Sequence, residues 1–429
     1  MPNLSEVISF CTRKGFINQS SEIYGGLSGC YDYGPNGAQL KRRIENIWWN
    51  ENVENQENII GFDSSILMRN EVWQASGHVS GFHDPMVDCK SCKSRYREDQ
   101  IDINQNCPDC GEKNWTDIRQ FNLMLSTKIG AMEDSAKQVY LRPETAQGIF
   151  VNAINVARNS RMNAPFGIAQ IGKSFRNEIT PRNFLFRVRE FTQMEIEFFC
   201  HPDDAPDFFE EWCSRRMSFY TESLGMDSAK LHFRDHGKEE LAHYAASCRD
   251  VEYDFPFGLK ELEGIANRGS FDLEQHMKHS KKNLTLSDPQ KGKFVPSVIE
   301  SSAGVDRTLL AVICDSLDVS DPNHIILKIN PKLANIQVAI LPLVKKDGMP
   351  EKAIEIKDRL HSSYRKKIET SGSIGKRYYR EDEIGTPICI TVDGDTNNDD
   401  SVTVRYRDTG KQDRVKIDSL NELLEKVFK

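Results

Sequence analysis

Two neighbouring segments decide the fold: Phe175-Arg-Asn-Glu178 and Arg187-Val-Arg-Glu-Phe-Thr-Gln-Met-Glu195. They predict strand, loop and strand, with Arg176 and Glu178 on one face of the first strand, because successive side chains of a strand alternate between faces. On the second strand the polar face carries Arg187, Arg189, Phe191, Gln193 and Glu195, and the apolar face carries Val188, Met194, Ile196 and Phe198. Arginine forks bind phosphate oxygens in pairs, and a phenylalanine ring can stack on a base. The pattern therefore predicts a cleft for a nucleoside triphosphate.

A second motif, Val298-Ile-Glu-Ser-Ser-Ala-Gly-Val-Asp-Arg307, lies further along the chain. It predicts a strand to Ser302, a turn at Gly304 and a helix from about Val305. Arg307 then lies in the first helical turn, where free backbone N–H groups and the helix dipole attract anions. The motif therefore predicts a site for a terminal phosphate. Either motif alone could also be an ordinary amphipathic element with surface arginines, and the two together make that alternative improbable.

Length and composition set broad limits. The chain has 429 residues, 38% of them hydrophobic, which is enough for two or three domains with a substantial core. Its formal net charge of -8 excludes a protein coated in basic charge but leaves room for a local nucleic-acid patch. Eleven cysteines without a secretory leader indicate free thiols in a reducing compartment. We therefore expect a cytoplasmic protein, and no stretch is long and apolar enough to anchor it in a membrane.

Four of the cysteines form two Cys-x-x-Cys pairs. Cys89 and Cys92 make the first pair, and Cys107 and Cys110 make the second, 14 residues later. This is the spacing of a zinc ribbon, in which four thiolates close a tetrahedral structural site. A redox-active pair is the other interpretation, but two pairs at this separation favour a structural Zn²⁺.

Four further segments are typical of one family. They are Ser21-Glu-Ile-Tyr-Gly-Gly26, Tyr31-Asp-Tyr-Gly-Pro35, Leu141-Arg-Pro-Glu-Thr-Ala-Gln-Gly148 and Gly172-Lys-Ser-Phe-Arg-Asn-Glu-Ile179. Together with the two motifs above, they resemble the class II aminoacyl-tRNA synthetases, and in particular the homodimeric glycyl-tRNA synthetases, over nearly the whole chain. Ser301 stands where the family has proline, a change that should alter local stiffness rather than chemistry.

The resemblance implies an α/β (α+β) fold. Its parts are a class II synthetase antiparallel sheet with flanking helices, a zinc-ribbon-like insertion and a C-terminal mixed α/β anticodon-binding domain. The catalytic domain would span residues 1–335, with the zinc-binding insertion at 84–115 and a helical insertion region at 202–263. The anticodon-binding domain would span 336–429, where predicted strands and helices alternate. Two clusters, 364–367 and 376–380, combine basic and aromatic residues and are its candidate RNA surface.

The resemblance also implies roles for individual residues. Catalysis would depend on Arg176, Arg307 and Glu300. ATP would contact Arg176, Asn177, Glu178, Phe186, Arg187, Phe191, Glu261, Leu262, Gly304 and Arg307. Glycine would contact Arg97, Glu144, Phe191, Glu195, Glu300, Ser302 and Gly304. Because three glutamates would surround the glycine ammonium, we expect their crowding to raise a pKa in the empty site.

The implied reaction activates glycine with ATP and Mg²⁺ to glycyl-adenylate and pyrophosphate, then transfers glycine to the 3′ end of tRNA(Gly). The expected assembly is a homodimer. Three alternatives stay open: a class II synthetase for serine, threonine or proline; a non-catalytic relative that binds nucleic acid; and a ligase that adenylates an amino acid for another acceptor. The pocket glutamates oppose the first alternative, the motif arginines the second and the C-terminal domain the third.

Overall fold

The computed structural model describes residues 2–98, 101–131, 137–237, 239–241 and 245–428. Short helices alternate with strands along these ranges. The α-helices are α1 (Leu4–Arg13), α2 (Pro35–Trp49), α3 (Asn70–Ala75), α4 (His78–Gly81), α5 (Ala146–Phe150), α6 (Ala153–Asn159), α7 (Ala205–Ser218), α8 (Phe271–Ser280), α9 (Val305–Ser316), α10 (Met349–Arg359), α11 (Ile374–Glu383), α12 (Thr396–Asp399) and α13 (Leu420–Phe428).

The strands fall into one large sheet, a second sheet near the C-terminus and several small ones. The strands are β1 (Ile17–Gln19), β2 (Tyr31–Tyr33), β3 (Ile59–Gly61), β4 (Leu67–Met68), β5 (His83–Asp88), β6 (Arg95–Arg97), β7 (Arg119–Asn122), β8 (Ser126–Ile129), β9 (Lys137–Leu141), β10 (Phe166–Phe175), β11 (Glu190–Cys200), β12 (Leu231–Asp235), β13 (Ser247–Phe255), β14 (Gly258–Gly269), β15 (Leu286–Asp288), β16 (Gly292–Phe294), β17 (Ser297–Gly304), β18 (Leu317–Asp318), β19 (Ile326–Leu327), β20 (Val338–Pro342), β21 (Lys366–Ile368), β22 (Ile388–Val392), β23 (Ser401–Tyr406) and β24 (Gln412–Lys416).

The large sheet has seven strands in the order β12-β13-β14-β17-β11-β10-β3. All neighbouring pairs are antiparallel except β3 and β10. Met194, Ile196 and Phe198 of β11 lie in the main hydrophobic core, as their alternation predicts. The opposite face of β11 carries Glu195 and Glu197, which are also buried. Helices pack on both faces, since Phe199 on the acidic face lies in a cluster with residues of α5 and α8, and the part of this face that carries the glutamates lines the site.

The step from β17 to α9 follows the second motif. The strand continues two residues beyond the predicted end at Ser302, and the helix begins at Val305, so the change from strand to helix at Gly304 is confirmed without a separate turn. Almost the whole of α9 is buried, and Asp306 in its first turn accepts a hydrogen bond from the backbone N–H of Thr192, 2.6 Å away. This contact joins the start of α9 to β11 and so fixes the position of Arg307 relative to the cleft.

The segment 202–263 differs from the expected helical insertion. Only its first part is helical, as α7 and the turns around it; the second part forms β12, β13 and the start of β14. The charged residues of this segment alternate along strands of the main sheet, and the helical prediction was wrong for that half. Arg216 of α7 pairs with Glu263 of β14 at 2.7 Å, and both side chains are fully buried. The segment is thus integrated into the catalytic sheet.

The C-terminal part has a five-stranded sheet in the order β21-β20-β22-β23-β24 with its own core from Val338 to Leu424. It also contacts the rest of the chain. Arg407 donates to the carbonyl of Ile329 at 2.9 Å, and His324 lies 2.7 Å from a carboxyl oxygen of Asp382. Within the described ranges, no helix is long and apolar enough to cross a membrane.

Candidate active site

A cleft opens where β10 and β17 end and β11 begins. It is lined by Arg176, Glu178, Leu185, Phe186, Arg187, Val188, Phe191, Gln193, Glu261, Leu262, Ser302, Gly304, Asp306 and Arg307. Every residue predicted to contact ATP lines this cavity except Asn177. Three residues predicted to contact glycine, Phe191, Ser302 and Gly304, also lie here.

Arg176 and Arg187 do not lie on the strands on which they were predicted to lie. Strand β10 ends at Phe175 and β11 begins at Glu190, so Arg176 and Arg187 lie on the connecting loop. The guanidinium of Arg176 lies 5.3 Å from the ring centre of Phe191, and its Nε donates to the carbonyl of Pro143 at 3.1 Å. The strand prediction extended too far because polar and apolar side chains continue to alternate in the loop sequence, although, within the described residues, the loop has no backbone hydrogen bonds to a neighbouring strand of the main sheet.

Arg187 and Arg307 each form an ion pair with a carboxylate. Arg187 Nε donates to Glu178 at 2.5 Å, and Arg307 Nη1 donates to Glu261 Oε1 at 3.0 Å. The guanidinium of Arg307 also lies 4.3 Å from the ring centre of Phe186. Phosphate oxygens could replace these carboxylates, because guanidinium groups bind both in the same geometry. This wall of the cavity is therefore suited to a polyphosphate.

Beside the cavity, β11 and β17 bring carboxylates together. Glu195 lies directly opposite Ser302, and Glu197 lies directly opposite Glu300. Carboxyl oxygens of Glu195, Glu197 and Glu300 lie within 4.8 Å of one another. Glu144, which precedes α5, interacts electrostatically with the same group. The structure thus brings the three predicted glycine-site glutamates into one cluster.

The partners of these carboxylates differ. Glu195 accepts hydrogen bonds from Thr145 on Oε2 and from Gln193 on Oε1, the latter at 3.2 Å. Glu300 accepts from Arg268 at 2.6 Å. Arg268 in turn makes two bonds to Asp272, at 2.8 and 2.9 Å. One buried cation therefore lies among several buried carboxylates.

Glu144 has a histidine beside it. His78 Nε2 lies 3.3 Å from Glu144 Oε2, and Gln147 donates to Oε1 at 3.1 Å. Burial works to raise the pKa of Glu144, but the charges of His78 and Arg268 outweigh it and hold this pKa well below its usual range. Glu144 is thus the carboxylate most easily kept ionised in the empty site.

The other two pocket glutamates show the expected effect of crowding. Burial, reinforced by the charges of Glu300 and Glu144, raises the pKa of Glu195 to about 8. Burial also raises the pKa of Glu300, although Arg268 opposes the shift. Both directions follow from removing carboxylates from water and placing them beside like charges.

Two predicted residues lie outside both the cavity and the glutamate cluster. Asn177 uses its backbone N–H to bond the carbonyl of Leu123 at 2.7 Å. Arg97, on β6, pairs with Asp84 at 2.9 Å, and Asp84 also lies 3.4 Å from Arg187 Nη2. Arg97 therefore connects the cysteine-containing lobe to the ATP side of the cleft through Asp84.

Several residues that shape the site carry no clear signal in the sequence. These residues are His78, Asp84, Thr145, Glu197, Arg268, Asp272 and Asp306. Glu197 continues the alternation of Gln193 and Glu195, and that signal could have found it. The Arg268–Glu300 and Asp84–Arg187 ion pairs join residues far apart in sequence, which periodicity does not report.

The four predicted metal ligands come together. Cys89 Sγ lies 3.6 Å from Cys110 Sγ, and Cys92 Sγ lies 3.7 Å from Cys107 Sγ. All four sulfur atoms lie within 4.8 Å of one another. A tetrahedral site with zinc–sulfur bonds of about 2.3 Å requires sulfur–sulfur separations of about 3.8 Å. The donor set and the spacing fit a structural Zn²⁺.

The candidate RNA clusters of the C-terminal part are only partly exposed. Arg377 is buried and donates to the carbonyls of Pro342, Leu343 and Glu369, at 2.7 to 3.1 Å. Arg365 donates to two backbone carbonyls that precede β20. Arg377 is thus held inside its own domain, and the interpretation of this residue as an RNA contact was wrong. Arg365 is half-buried, and its interpretation as an RNA contact stays a prediction. Tyr379 and Arg380 remain exposed to nearly half their surface.

Comparison with known proteins agrees with this geometry. A family model described as the tRNA synthetase class II core domain (G, H, P, S and T) matches residues 128–316, and an anticodon binding domain model matches residues 337–427. A glycine–tRNA ligase from Borrelia hermsii is 50% identical, over 98% of this chain and 96% of that relative. The chain belongs to the glycine–tRNA ligase family.

Two more distant relatives carry the same description. The glycine–tRNA ligase of Treponema denticola is 48% identical over 96% of this chain and 94% of its own length. That of Clostridium acetobutylicum is 46% identical over 99% of both chains. Family membership confirms the class II fold and the enzyme class that the motifs predict.

Proposed function

We propose that the protein activates glycine with Mg²⁺ and ATP to glycyl-adenylate and pyrophosphate, then transfers glycine to the 3′ end of tRNA(Gly). One observation carries the proposal. A pocket of buried glutamates for an ammonium group adjoins an arginine-lined cavity for a polyphosphate, and Ser302 and Gly304 of β17 border both. A substrate with an ammonium at one end and a carboxylate at the other would span the two parts.

Activation of glycine needs no general base, because the attacking carboxylate is already ionised. The carboxylate of glycine attacks the α-phosphorus of ATP, the bond between the α-phosphorus and its bridging oxygen breaks, and pyrophosphate leaves. Positioning and charge neutralisation supply most of the acceleration in such reactions. We assign the α-phosphate to Arg176, the outer phosphates to Arg187 and Arg307, and stacking on adenine to Phe191. Glu178 would accept the adenine amino group.

Mg²⁺, when bound with ATP, would supply positive charge that neutralises the phosphates. Among the carboxylates on the cavity wall, Glu261 is half exposed and paired with Arg307, so it is placed to reach the ion once phosphate takes its place on the arginine. Glu300 is ion-paired with Arg268 and lies in the glutamate cluster, so we assign it to the ammonium of glycine.

Selectivity for glycine would come from the glutamate cluster. Glu144, Glu195 and Glu300 would bind the three ammonium hydrogens, and Ser302 would lie beside the α-carbon. A methyl group on that carbon would have to displace the carboxylates of Glu195 and Glu300, whose oxygens already lie within 4.8 Å of each other. Steric clash of this kind discriminates more strongly than the ~1–3 kcal/mol that one methylene contributes to attractive binding.

The four cysteines would hold Zn²⁺ as a structural ion. The metal would keep β5 and β6 together, and with them the Asp84–Arg97 pair that reaches Arg187. We also propose that residues 1–335 form the catalytic domain and 336–429 the anticodon-binding domain. The active assembly would be a homodimer in the cytoplasm, as the family resemblance implies.

The test is ATP–pyrophosphate exchange with each standard amino acid, without tRNA. Exchange with glycine alone is the expected result. Exchange with serine, threonine or proline instead would place the protein among the other class II synthetases and remove the assignment of the glutamate pocket. Absence of exchange with every amino acid, from folded and metal-loaded protein, would reject the catalytic proposal.

A further inference from the structure

Glu197 is a fully buried acid that none of the roles above uses. Its side chain has no exposed surface. Neither of its carboxyl oxygens has a hydrogen-bond partner among the described residues. An ionised carboxylate without partners is very costly to bury, and an apolar side chain of similar size would cost less. An acid in this position therefore calls for a functional reason.

The strand register places Glu197 directly behind the glycine pocket. It lies opposite Glu300 on β17 and opposite Ile168 on β10. Its oxygens lie within 4.8 Å of carboxyl oxygens of both Glu195 and Glu300. A small change of side-chain torsion would bring it within hydrogen-bond distance of one of them. Glu197 is too deep to reach the substrate itself, because its side chain has no exposed surface, whereas the side chain of Glu300, directly opposite on β17, is 13% exposed.

The charges around Glu197 favour its neutral form. The pocket already contains Glu144, Glu195, Glu300 and Asp272, and Arg268 is the cation that pairs with the last two. Burial, with the charges of Glu300 and Glu195, raises the pKa of Glu197 well above its usual range. A neutral carboxyl has one O–H donor to offer, and its two nearest acid neighbours can only accept when ionised.

Glu300 is the better acceptor of the two. Both oxygens of Glu195 already accept hydrogen bonds, from Thr145 and Gln193. Glu300 accepts from Arg268 through Oε2, which leaves Oε1 to be assigned. A hydrogen bond from Glu197 to Oε1 would fix both ends of the Glu300 carboxylate, one by Arg268 and one by Glu197.

We propose that Glu197 is a positioning residue of the glycine pocket. Its carboxyl group stays protonated, and its O–H donates a hydrogen bond to Oε1 of Glu300. It acts on the substrate through Glu300, by holding that carboxylate against the glycine ammonium. This assignment rests on the proposed function, since it presupposes that Glu300 binds the ammonium.

The test compares Glu197→Gln with Glu197→Met in ATP–pyrophosphate exchange at varied glycine and varied ATP. Glutamine keeps the size, the neutral charge and an N–H donor, whereas methionine keeps the size and the neutral charge but has no donor. We expect Glu197→Gln to retain the wild-type KM for glycine within about twofold. Glu197→Met should raise it about tenfold, the effect of losing one hydrogen bond to a charged group. The KM for ATP should stay unchanged in both variants.

Glu195→Gln serves as the matched control, because there the same substitution removes a carboxylate that is proposed to bind the ammonium directly. If Glu197→Gln raises the glycine KM as much as Glu195→Gln does, Glu197 acts as an ionised ligand and the assignment is overturned. Unchanged glycine KM in both Glu197 variants would overturn it as well. Should Glu197→Met fail to fold, the comparison of the two glutamine variants still decides. A wild-type protein without glycine-dependent exchange would reject the proposed function itself, which is a separate result.

Discussion

The two ends of the cleft handle charge in opposite ways. At the glycine end, Glu195 and Glu197 are almost completely buried and crowd against like charges. At the ATP end, Arg187 and Arg307 are a fifth to a quarter exposed, and each is paired with a carboxylate in the empty site. The buried end can relieve its repulsion only by taking up protons or a cation. The exposed end can exchange one anion for another at little cost.

The two substrates therefore bind through different kinds of interaction. Glycine brings the positive charge that the carboxylate cluster lacks, so its binding is coupled to protonation. ATP brings phosphates that replace Glu178 and Glu261 on arginines already in place. The first process depends on burial and the second on geometry, and four measurements can break or sharpen that contrast.

The largest effect is expected from Arg176→Ala. Arg176 would neutralise charge where it develops during the reaction, and loss of such a group typically lowers kcat by about 10²–10³-fold. The measurement is ATP–pyrophosphate exchange at saturating glycine and ATP. Arg182→Ala is the control, since Arg182 is exposed on the same loop and does not line the cavity. Equal loss in both variants would indicate that the loop, not the charge, matters.

Glu195→Gln should act on glycine alone. The variant removes the charge that binds the ammonium, and hydrogen bonds to charged groups contribute about 1.5–3 kcal/mol, so the glycine KM should rise on the order of tenfold to a hundredfold. Glu190→Gln, at the exposed start of the same strand, should leave it unchanged. A rise in the ATP KM of similar size would break the proposed division between the two ends.

Proton release on glycine binding tests the buried end directly. With a pKa of about 8, Glu195 is mostly protonated at pH 7 in the empty site and must ionise to bind the ammonium. Binding should therefore release close to one proton at pH 7, and glycine affinity should rise as the pH rises towards about 8. Calorimetry in buffers with different ionisation enthalpies gives the number of protons. Glu195→Gln should abolish the release; a value near zero in the wild type would contradict the raised pKa.

The smallest effect is expected at Asp84. Asp84→Asn weakens the contact between Arg97 and Arg187, and partly solvated ion pairs contribute about 0.2–1 kcal/mol, so the ATP KM should rise by up to about fivefold. The glycine KM should not change. Steady-state kinetics with each substrate varied measure both values, and removal of Zn²⁺ by a chelator should act in the same direction if the cysteine lobe holds Asp84 in place.

The sequence predicted those parts of the site that rest on local periodicity. The two faces of β11, the change from strand to helix at Gly304, the helix from Val305 and the cysteine cluster all follow from short-range spacing. The end of β10 and the start of β11 were not predicted from this spacing. The loop that carries Arg176 and Arg187 continues the alternation of side chains but has no strand partners among the described residues. The contribution of 202–263 to the main sheet was missed because its strands lie at an edge and carry many charged residues.

What the sequence could not give is the pairing of distant charges. His78 with Glu144, Arg268 with Glu300 and Asp84 with Arg187 each join separate elements. No local pattern marks such pairs, since they depend on how sheets and loops pack. The same holds for Arg377, whose position in a basic cluster indicated RNA but whose guanidinium binds three carbonyls of its own domain.

Strand β11 is buried on both sides, with apolar core on one face and the carboxylate cluster on the other. A shift of its register by one residue would exchange the two faces completely. Insertions and deletions in this strand therefore cannot be neutral, and substitutions on its acidic face act on substrate recognition and on folding together. A small-molecule inhibitor that binds these carboxylates would meet a target with few viable escape mutations.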